Sequence, residues 1–201
     1  MYEVDIKGVT LCLETAPNLF SPAHADRGTL AMLSLTSFDS SDRVLDLGCG
    51  VGIVGIYAAR CGADVIMTDF DSNAVEMATA NCHTNGVSCT VLKSDGFSNI
   101  ESGRLFTQIL SNPPYHTDFS VAKRFIEGAF RHLEVGGHLF MVTKRMDWYR
   151  NKLTSVFGGV RVQEIDGYYV FIAEKRCAAR PRKEKTAGGL SKKLARKAAS
   201  K

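Results

Sequence analysis

A short polar segment follows the apolar run at residues 106–110 and consists of Asn112, Pro113, Pro114, Tyr115 and His116. Proline locks φ and lacks a backbone N–H, and it forces the residue before it into an extended conformation. The first three residues of the segment are therefore held almost rigidly. Because one glycine or asparagine is enough to end a strand, we expect this segment to hold backbone and side-chain carbonyl oxygens in fixed positions.

A second group of residues suited to chemistry is the glycine-rich sequence DLGCGVG at residues 46–52. The glycines that begin at Gly50 have the spacing G-x-G-x-x-G, and Asp69 lies nineteen residues further on, as in dinucleotide-binding proteins. Asp46 argues against a dinucleotide, because its carboxylate repels a pyrophosphate and attracts an ammonium or sulfonium group. Asp95 adds an acceptor that suits an adenine amino group. The residues favour a cationic nucleoside, and a dinucleotide stays open as the alternative.

The elements that must position these groups alternate along the chain, which is typical of a parallel sheet with crossover helices. The predicted strands cover residues 43–48, 64–69, 89–95, 106–110 and 136–144. The predicted helices cover residues 53–61, 119–133 and 148–157, together with a helix that Asp71 or Ser72 caps and that Asn85 and Gly86 end. In open α/β sheets ligands bind at the carboxyl ends of strands. All the polar groups above fall at such ends, which predicts one common site.

The two ends of the chain follow other patterns. Two β runs at residues 160–165 and 168–175 flank Asp166 and Gly167, a strong signal for an antiparallel hairpin. Residues 1–40 indicate a short β ribbon and a helix that belong to the same domain, with residues 20–29 as the loop between them. Residues 177–201 are predicted to be a disordered basic tail.

Composition limits the class of protein. A chain of 201 residues with 45% apolar and 23% charged residues fits one globular domain. No apolar run approaches the roughly 18–20 residues that span a bilayer, and the acidic start of the chain argues against a signal peptide. We therefore expect a cytoplasmic protein without a membrane partner.

The six cysteines are scattered, so reduced thiols are expected rather than a disulfide framework. Cys82, His83 and Cys89 match no standard spacing of zinc ligands, and we predict no metal site.

The net charge of +4 conceals an asymmetry. Residues 176–201 contain ten Lys or Arg and one acidic residue, whereas the preceding residues contain 15 basic and 20 acidic ones. The chain is thus an acidic globule with a basic tail. Clustered Lys and Arg favour nucleic acid as a partner, because they release counterions from phosphates.

The motifs together resemble those of class I S-adenosylmethionine-dependent methyltransferases, most closely the small-domain group that contains ribosomal RNA guanine-N2 methyltransferases. The resemblance covers about residues 20–175 and is carried by VLDLGCGVG, DFDSNAVEMATAN, SDGF, SNPPYH, GAFRHLEVGGHLFMV, FGGVRV and GYYVFIAEK. It implies a Rossmann-like α/β fold with a seven-stranded, mostly parallel sheet, helices on both faces and a C-terminal antiparallel hairpin. It also implies that residues 41–176 form the methyltransferase domain.

The resemblance further implies S-adenosylmethionine as the cofactor. The residues that match cofactor-binding positions are Asp46, Gly48, Cys49, Gly50, Gly52, Asp69, Phe70, Asp95, Gly96, Asn112, Asp26 and Thr29. The glycine loop with Asp46 would wrap the methionine part, and Asp69 would accept hydrogen bonds from the ribose. Asp95 and Gly96 would border the adenine. The segment that contains Asp26 and Thr29 would close over the cofactor.

An Asn-Pro-Pro-aromatic motif in this superfamily implies that the methyl acceptor is an amine nitrogen. A planar exocyclic amine is a poor nucleophile, because its lone pair is delocalised into the ring. The side-chain oxygen of Asn112 and the carbonyl of Pro113 would accept hydrogen bonds from the two N–H groups of the amine and turn its lone pair toward the methyl donor. Pro114 and Tyr115 complete the predicted catalytic group, and Tyr115, His116 and Lys144 are the predicted substrate contacts, with Tyr115 stacked on the target ring.

Three substrates are compatible with this motif, namely guanine N2 in RNA, adenine N6 in nucleic acid and the amide of a protein glutamine. The basic tail and the resemblance favour guanine in ribosomal RNA or a ribosomal assembly particle. Two-domain members of the group carry a second, N-terminal copy of the fold for RNA recognition, and we expect the lead segment and the tail to take that role here. An NAD-dependent Rossmann enzyme and a non-catalytic RNA-binding protein are the remaining alternatives.

Overall fold

The computed structural model describes residues 1–15, 25–113 and 119–178. The strands are β1 (Tyr2–Ile6), β2 (Val9–Leu13), β3 (Arg43–Leu47), β4 (Asp64–Asp69), β5 (Thr90–Lys93), β6 (Phe106–Ser111), β7 (Leu133–Thr143), β8 (Arg161–Ile165) and β9 (Tyr168–Glu174). The helices are α1 (Arg27–Ser34), α2 (Ile53–Arg60), α3 (Ser72–Thr84), α4 (Phe119–His132) and α5 (Asp147–Phe157). None of the helices in these described ranges is long and apolar enough to cross a bilayer.

Seven of the described strands form one mixed sheet in the order β5-β4-β3-β6-β7-β9-β8. The first five pair in parallel, and β9 runs antiparallel to both β7 and β8. The turn from β8 to β9 has φ values of 52° at Asp166 and 77° at Gly167. Positive φ at both central residues is what a two-residue hairpin turn requires. The predicted seven-stranded sheet with its C-terminal antiparallel hairpin is therefore confirmed.

Both faces of the sheet are covered by helices. Because neighbouring residues of a strand point to opposite faces, Val44 of β3 packs with α1, α2 and α3, whereas Leu45 packs with α4 and α5. This double burial explains why the parallel strands are almost continuously apolar in sequence. Asp46 comes next on β3 and points to the same face as Val44, toward α2.

The ribbon formed by β1 and β2 is bound to α3 by two asparagine side chains. Asn85 accepts from the Cys12 N–H at 2.9 Å and donates to the Cys12 carbonyl at 2.7 Å. Asn81 accepts from the Glu14 N–H at 2.7 Å and donates to the Glu14 carbonyl at 3.0 Å. The two asparagines lie four residues apart, on one face of the helix. Their amides thereby bond to the chain along β2 as a neighbouring strand would.

The N-termini of α1 and α3 follow local capping rules. Asp71 caps α3 as predicted, and its side chain accepts from the Asn73 N–H. The loop predicted at residues 20–29 is too long, because α1 begins at Arg27 and contains Thr29. Asp26 is the cap of this helix, and its Oδ1 accepts from the Thr29 N–H at 2.9 Å.

Strand β7 begins three residues earlier than predicted, at Leu133, directly after α4. Leu133 pairs with Phe106 ahead of a register shift in the β6–β7 ladder. Pairing with a strand distant in the sequence therefore extends the N-terminal end of β7 to residues before the glycines at 136 and 137. Residues 16–24, which include the first five residues of the predicted loop, and residues 179–201 of the predicted tail lie outside the described residues.

Gly55 in α2 is a position where a methyl group has no room. A Cβ there would lie 2.4 Å from Sδ and 2.5 Å from Cγ of Met67, which is fully buried in β4. Replacing a helical glycine with alanine usually stabilises a protein by up to about 1 kcal/mol, but here the clash outweighs that gain. We expect Gly55→Ala to lower the free energy of unfolding by about 1–3 kcal/mol in denaturant titrations.

The matched control is Gly159→Ala, because a Cβ at Gly159 meets nothing closer than 3.8 Å. This variant should change the free energy of unfolding by less than about 0.5 kcal/mol. Equal stabilities for the two variants would show that α2 and β4 do not pack as closely as described.

Candidate active site

A cavity of about 650 Å³ lies at the carboxyl edge of the parallel strands. This volume lies in the range of small-molecule sites. The predicted residues that line the cavity are Asp26, Thr29, Asp46, Gly48, Cys49, Gly50, Asp69, Phe70, Asp95, Gly96, Asn112 and Pro113. The structure thus brings the glycine loop and the start of the NPPYH segment to one cavity.

The glycine loop is held by strand β4 through its backbone amides. The N–H groups of Gly48 and Cys49 both donate to the Thr68 carbonyl, at 2.8 and 3.0 Å. The N–H of Gly50 donates to Oδ2 of Asp69 at 2.9 Å. These three donors are therefore bound to oxygen atoms of the chain itself.

Asp46 is a buried carboxylate at the end of β3, with 3% of its surface exposed. Its Oδ2 accepts from the Gly55 N–H at 2.9 Å, in the first turn of α2. The pKa of Asp46 is raised to about 7, mainly by burial and to a smaller extent by the nearby Asp69, against the opposing effect of the hydrogen bond from Gly55. A cation bound beside the two carboxylates would favour the ionised form of Asp46.

This arrangement disfavours a dinucleotide. Dinucleotide-binding folds present the amides of the glycine loop and the N-terminus of the next helix to a pyrophosphate. In this protein three loop amides, those of Gly48, Cys49 and Gly50, already donate to β4. The carboxylate of Asp46 binds the first turn of α2. The cavity offers negative charge where a pyrophosphate needs donors.

The amide of Asn112 is oriented by the N-terminus of α1. Its Nδ2 donates to Oδ1 of Asp26 at 2.8 Å and to Oγ1 of Thr29 at 2.9 Å. Both amide hydrogens are engaged, and because an ionised Asp26 can only accept, the amide nitrogen must face α1. Oδ1 of Asn112 is therefore directed away from α1. The preceding Ser111 donates to the Leu47 carbonyl at 2.7 Å, which ties the end of β6 to β3.

The opposite end of the cavity has a different character. Phe70 is 73% exposed and lines the cavity, so its ring offers an apolar surface to a ligand. Oδ2 of Asp95 accepts from Arg124 at 2.7 Å. Gly96 has a φ of 63°, and a Cβ there would lie 3.3 Å from the ring of Phe125. Rings and acceptors together suit a planar heterocycle.

Some predicted residues do not reach the cavity. Gly52 does not line the cavity but packs against α3 and β4, where a Cβ would lie 3.2 Å from Ala78, and its cofactor contact stays a prediction. Lys144 is exposed outside the cavity, with Nζ 4.9 Å from the ring centroid of Tyr168. The predicted residues that lie outside the described part of the chain are Pro114, Tyr115 and His116. In the described part, no group of three or more His, Cys, Asp or Glu could hold a metal ion.

The sequence patterns missed several residues that line the cavity. Val121, Arg124 and Phe125 project from one face of α4. Their spacing of three and four residues is a signal that could have identified this face. Tyr2 reaches the cavity from β1. No local pattern near the start of the chain indicates that contact, because it depends on how the ribbon packs.

Fold and site define the chain as a Rossmann-like α/β protein whose glycine loop is organised by carboxylates. The family model of the methyltransferase small domain matches residues 10–172. The chain belongs to this family.

Sequence relatives agree with this membership. The chain is 36% identical over 162 residues to the ribosomal RNA small subunit methyltransferase C of Escherichia coli O1:K1, a match that covers 78% of this chain and 46% of the relative. It is 37% identical over 167 residues to the protein of the same name from Cronobacter sakazakii, a match that covers 80% of this chain and 47% of that relative. The chain therefore spans about half the length of these relatives.

Solved structures share the architecture. The Thermus thermophilus 16S rRNA N2 G1207 methyltransferase (RsmC), in complex with AdoMet and guanosine, matches with a TM-score of 0.82 at 27% identity, over 87% of this chain and 50% of that one. TrmN from Thermus thermophilus matches with a TM-score of 0.62 at 26% identity. The match covers 72% of this chain and 47% of TrmN.

The raised pKa of Asp46 predicts how stability depends on pH. The folded protein retains the Asp46 proton up to about pH 7, whereas the unfolded chain releases it near 3.8. The contribution of Asp46 to stability is therefore complete below the unfolded pKa and is lost as the pH rises through about 7. The loss amounts to roughly 4 kcal/mol.

The reference protein for this prediction is Asp46→Asn, because asparagine keeps an oxygen for the Gly55 N–H but does not titrate. Denaturant titrations at several pH values should show the wild type losing stability relative to this variant between pH 4 and pH 8. If the free energies of unfolding of the two proteins changed with pH in parallel, the assigned pKa of Asp46 would be contradicted.

Proposed function

We propose that the protein is an S-adenosylmethionine-dependent N-methyltransferase that acts on an exocyclic amine, namely guanine N2 in ribosomal RNA. The observation that carries the proposal is the fixed amide of Asn112, bound to α1, in the same cavity as the carboxylate-held glycine loop. The relatives support the choice of substrate, since they are named as ribosomal RNA methyltransferases and one of their structures contains guanosine with AdoMet.

The described residues fit S-adenosylmethionine on chemical grounds. When bound, the cofactor supplies a methyl group on a positively charged sulfur. Asp46 and Asp69 give the loop side of the cavity the negative charge that suits this group. Asp69 keeps acceptor capacity for the ribose hydroxyls, because each carboxylate oxygen has two lone pairs. Phe70, with Asp95 and Gly96, would hold the adenine.

On the acceptor side, the chain positions the target amine. Oδ1 of Asn112 and the carbonyl of Pro113 accept hydrogen bonds from the two N–H groups of the amine and direct its lone pair into the cavity. The carboxylate of Asp26 polarises the Asn112 amide by accepting its hydrogen, which strengthens Oδ1 as an acceptor. No strong general base is required, because the methylated nitrogen becomes acidic and loses its proton to water. Tyr115 would stack on the target ring, and His116 and Lys144 would contact flanking parts of the substrate.

Adenine N6 and glutamine side chains present the same two hydrogens, so Asn112 and Pro113 alone do not separate the substrates. The guanine assignment rests on the relatives, and the RNA assignment also rests on the basic tail. We place the cofactor site in residues 41–176, with residues 1–40 as part of the same domain. Residues 177–201 would bind RNA, and the partner would be cytoplasmic ribosomal RNA or an assembly particle.

The acceptor assignment is tested by Asn112→Ala. Removing one preorganised acceptor should lower the rate of methyl transfer about 100–1,000-fold. The dissociation constant of S-adenosylmethionine, measured by calorimetry, should change less than about twofold, because Asn112 acts on the amine. Asn151→Ala, at an exposed site on α5 outside the cavity, serves as the matched control with wild-type rates. A tenfold weaker cofactor affinity with an unchanged rate would overturn the assignment.

The substrate is tested with radiolabelled S-adenosylmethionine and three acceptors, namely ribosomal RNA, ribosomal particles and ribosomal protein. Mass spectrometry of the digested products should find N2-methylguanosine. N6-methyladenosine or methylglutamine would instead support one of the alternatives. Cofactor binding without transfer to any of the three would favour a non-catalytic RNA-binding protein.

The contribution of the basic tail is tested by deleting residues 180–201. Because phosphate contacts make affinity fall with salt, the deletion should weaken binding to ribosomal RNA fragments and flatten its salt dependence. Fluorescence anisotropy at several salt concentrations measures both quantities. An unchanged salt slope would show that the tail does not contact phosphates.

A further inference from the structure

Tyr2 is the residue of the ribbon that lines the cavity. Alternate residues of β1 point inward: Ile6 is buried in the hydrophobic core, and Val4 and Tyr2 are half-buried and pack against it. Of these three residues, Tyr2 also lines the cavity together with the glycine loop. Burial raises the pKa of Tyr2. Its hydroxyl therefore stays protonated at neutral pH and offers both a donor and an acceptor.

Asn81 connects the ribbon to the glycine loop. It is fully buried, and its Nδ2 donates both to the Glu14 carbonyl at 3.0 Å and to the Val51 carbonyl at 2.9 Å. Asn85 makes the equivalent bonds to Cys12, but its Nδ2 also donates to the Asn81 carbonyl of α3 rather than to the glycine loop. The two asparagines thus bind the ribbon in the same way, and Asn81 additionally holds the loop.

The position of the ribbon indicates which part of a ligand Tyr2 faces. Asp95 follows β5 at one end of the cavity, and Asn112 follows β6 at the other, with the glycine loop after β3 between them. Strand β1 packs on α1, and β2 packs on α2 and α3. The ribbon therefore lies over the loop rather than over the Asp95 end.

We propose that Tyr2 contacts the methionyl half of the cofactor and that Asn81 is a positioning residue that couples the ribbon to the glycine loop. The inference rests on the proposed function, which assigns that half of S-adenosylmethionine to the loop. The methionyl group carries an ammonium and a carboxylate, and the neutral Tyr2 hydroxyl can bond to either. The ribbon is then a wall of the cofactor site as well as a support for α3.

The first test compares two ligands that share the nucleoside. S-adenosylhomocysteine has the amino-acid part, whereas 5′-methylthioadenosine lacks it. In calorimetric titrations of the full chain, Tyr2→Ala should lower the affinity for S-adenosylhomocysteine about tenfold. The affinity for 5′-methylthioadenosine should change less than about twofold. Val4→Ala is the matched control, because Val4 lies on the same face of the same strand outside the cavity, and both affinities should stay at wild-type values.

The outcomes separate this inference from the proposed function. A wild-type chain that binds neither ligand contradicts the proposed function itself. Wild-type binding that Tyr2→Ala leaves unchanged contradicts only the role of Tyr2, and an equal loss for both ligands would place Tyr2 at the nucleoside. Equal effects of Val4→Ala and Tyr2→Ala would mean that the ribbon acts only through its packing.

The second test compares Asn81→Ser with Asn85→Ser. Both variants shorten an amide that binds the ribbon, but Asn81→Ser alone releases the Val51 carbonyl. If the two variants have comparable melting temperatures without ligand, Asn81→Ser should lower the affinity for S-adenosylhomocysteine at least fivefold more than Asn85→Ser does. It should also raise KM for the cofactor with kcat within about twofold of wild type. Equal affinities for the two variants would show that Asn81 only stabilises the fold.

Discussion

The site depends on one electrostatic constraint, namely that carboxylates of the chain itself organise the glycine loop. Asp69 accepts the Gly50 N–H, and Asp46 accepts the Gly55 N–H from a nearly fully buried position. A buried carboxylate is costly when it is ionised without a charged partner, and the raised pKa of Asp46 reflects that cost. A cation bound in the cavity would supply the missing partner. The same spacing of glycines that binds a pyrophosphate elsewhere therefore selects the opposite charge here.

The acceptor side of the cavity depends on contacts between residues far apart in the chain. Asp26 caps α1 through the Thr29 N–H and binds Nδ2 of Asn112 with the same oxygen atom. The start of α1 and the end of β6 are thus fixed together. Pro113 restricts the backbone next to this amide. Because both restraints exist before a substrate binds, little reorganisation would be needed on binding of the proposed amine.

The sequence predicted the features that depend on local rules. Strand β4 was placed at its observed bounds, and Asp71 and the hairpin turn follow from cap and turn chemistry. Local rules do not give the features that depend on residues distant in the sequence. Strand β7 is longer than its composition suggests, because Leu133 pairs with Phe106. Gly52 has the spacing of a ligand-binding glycine, and its packing against α3 and β4, outside the cavity lining, depends on the tertiary fold. Tyr2 enters the cavity only through the tertiary position of the ribbon.

The network around Asn81 shows how a peripheral ribbon can belong to the site. One amide joins the chain after β2 at Glu14 to the carbonyl of Val51 in the loop. Coupling between two parts of a protein is reciprocal. If the ribbon holds the loop in the conformation that binds the cofactor, then the bound cofactor stabilises the ribbon by the same free energy. The start of the chain and the glycine loop are then two parts of one binding unit, although about fifty residues separate Tyr2 from Val51 in sequence.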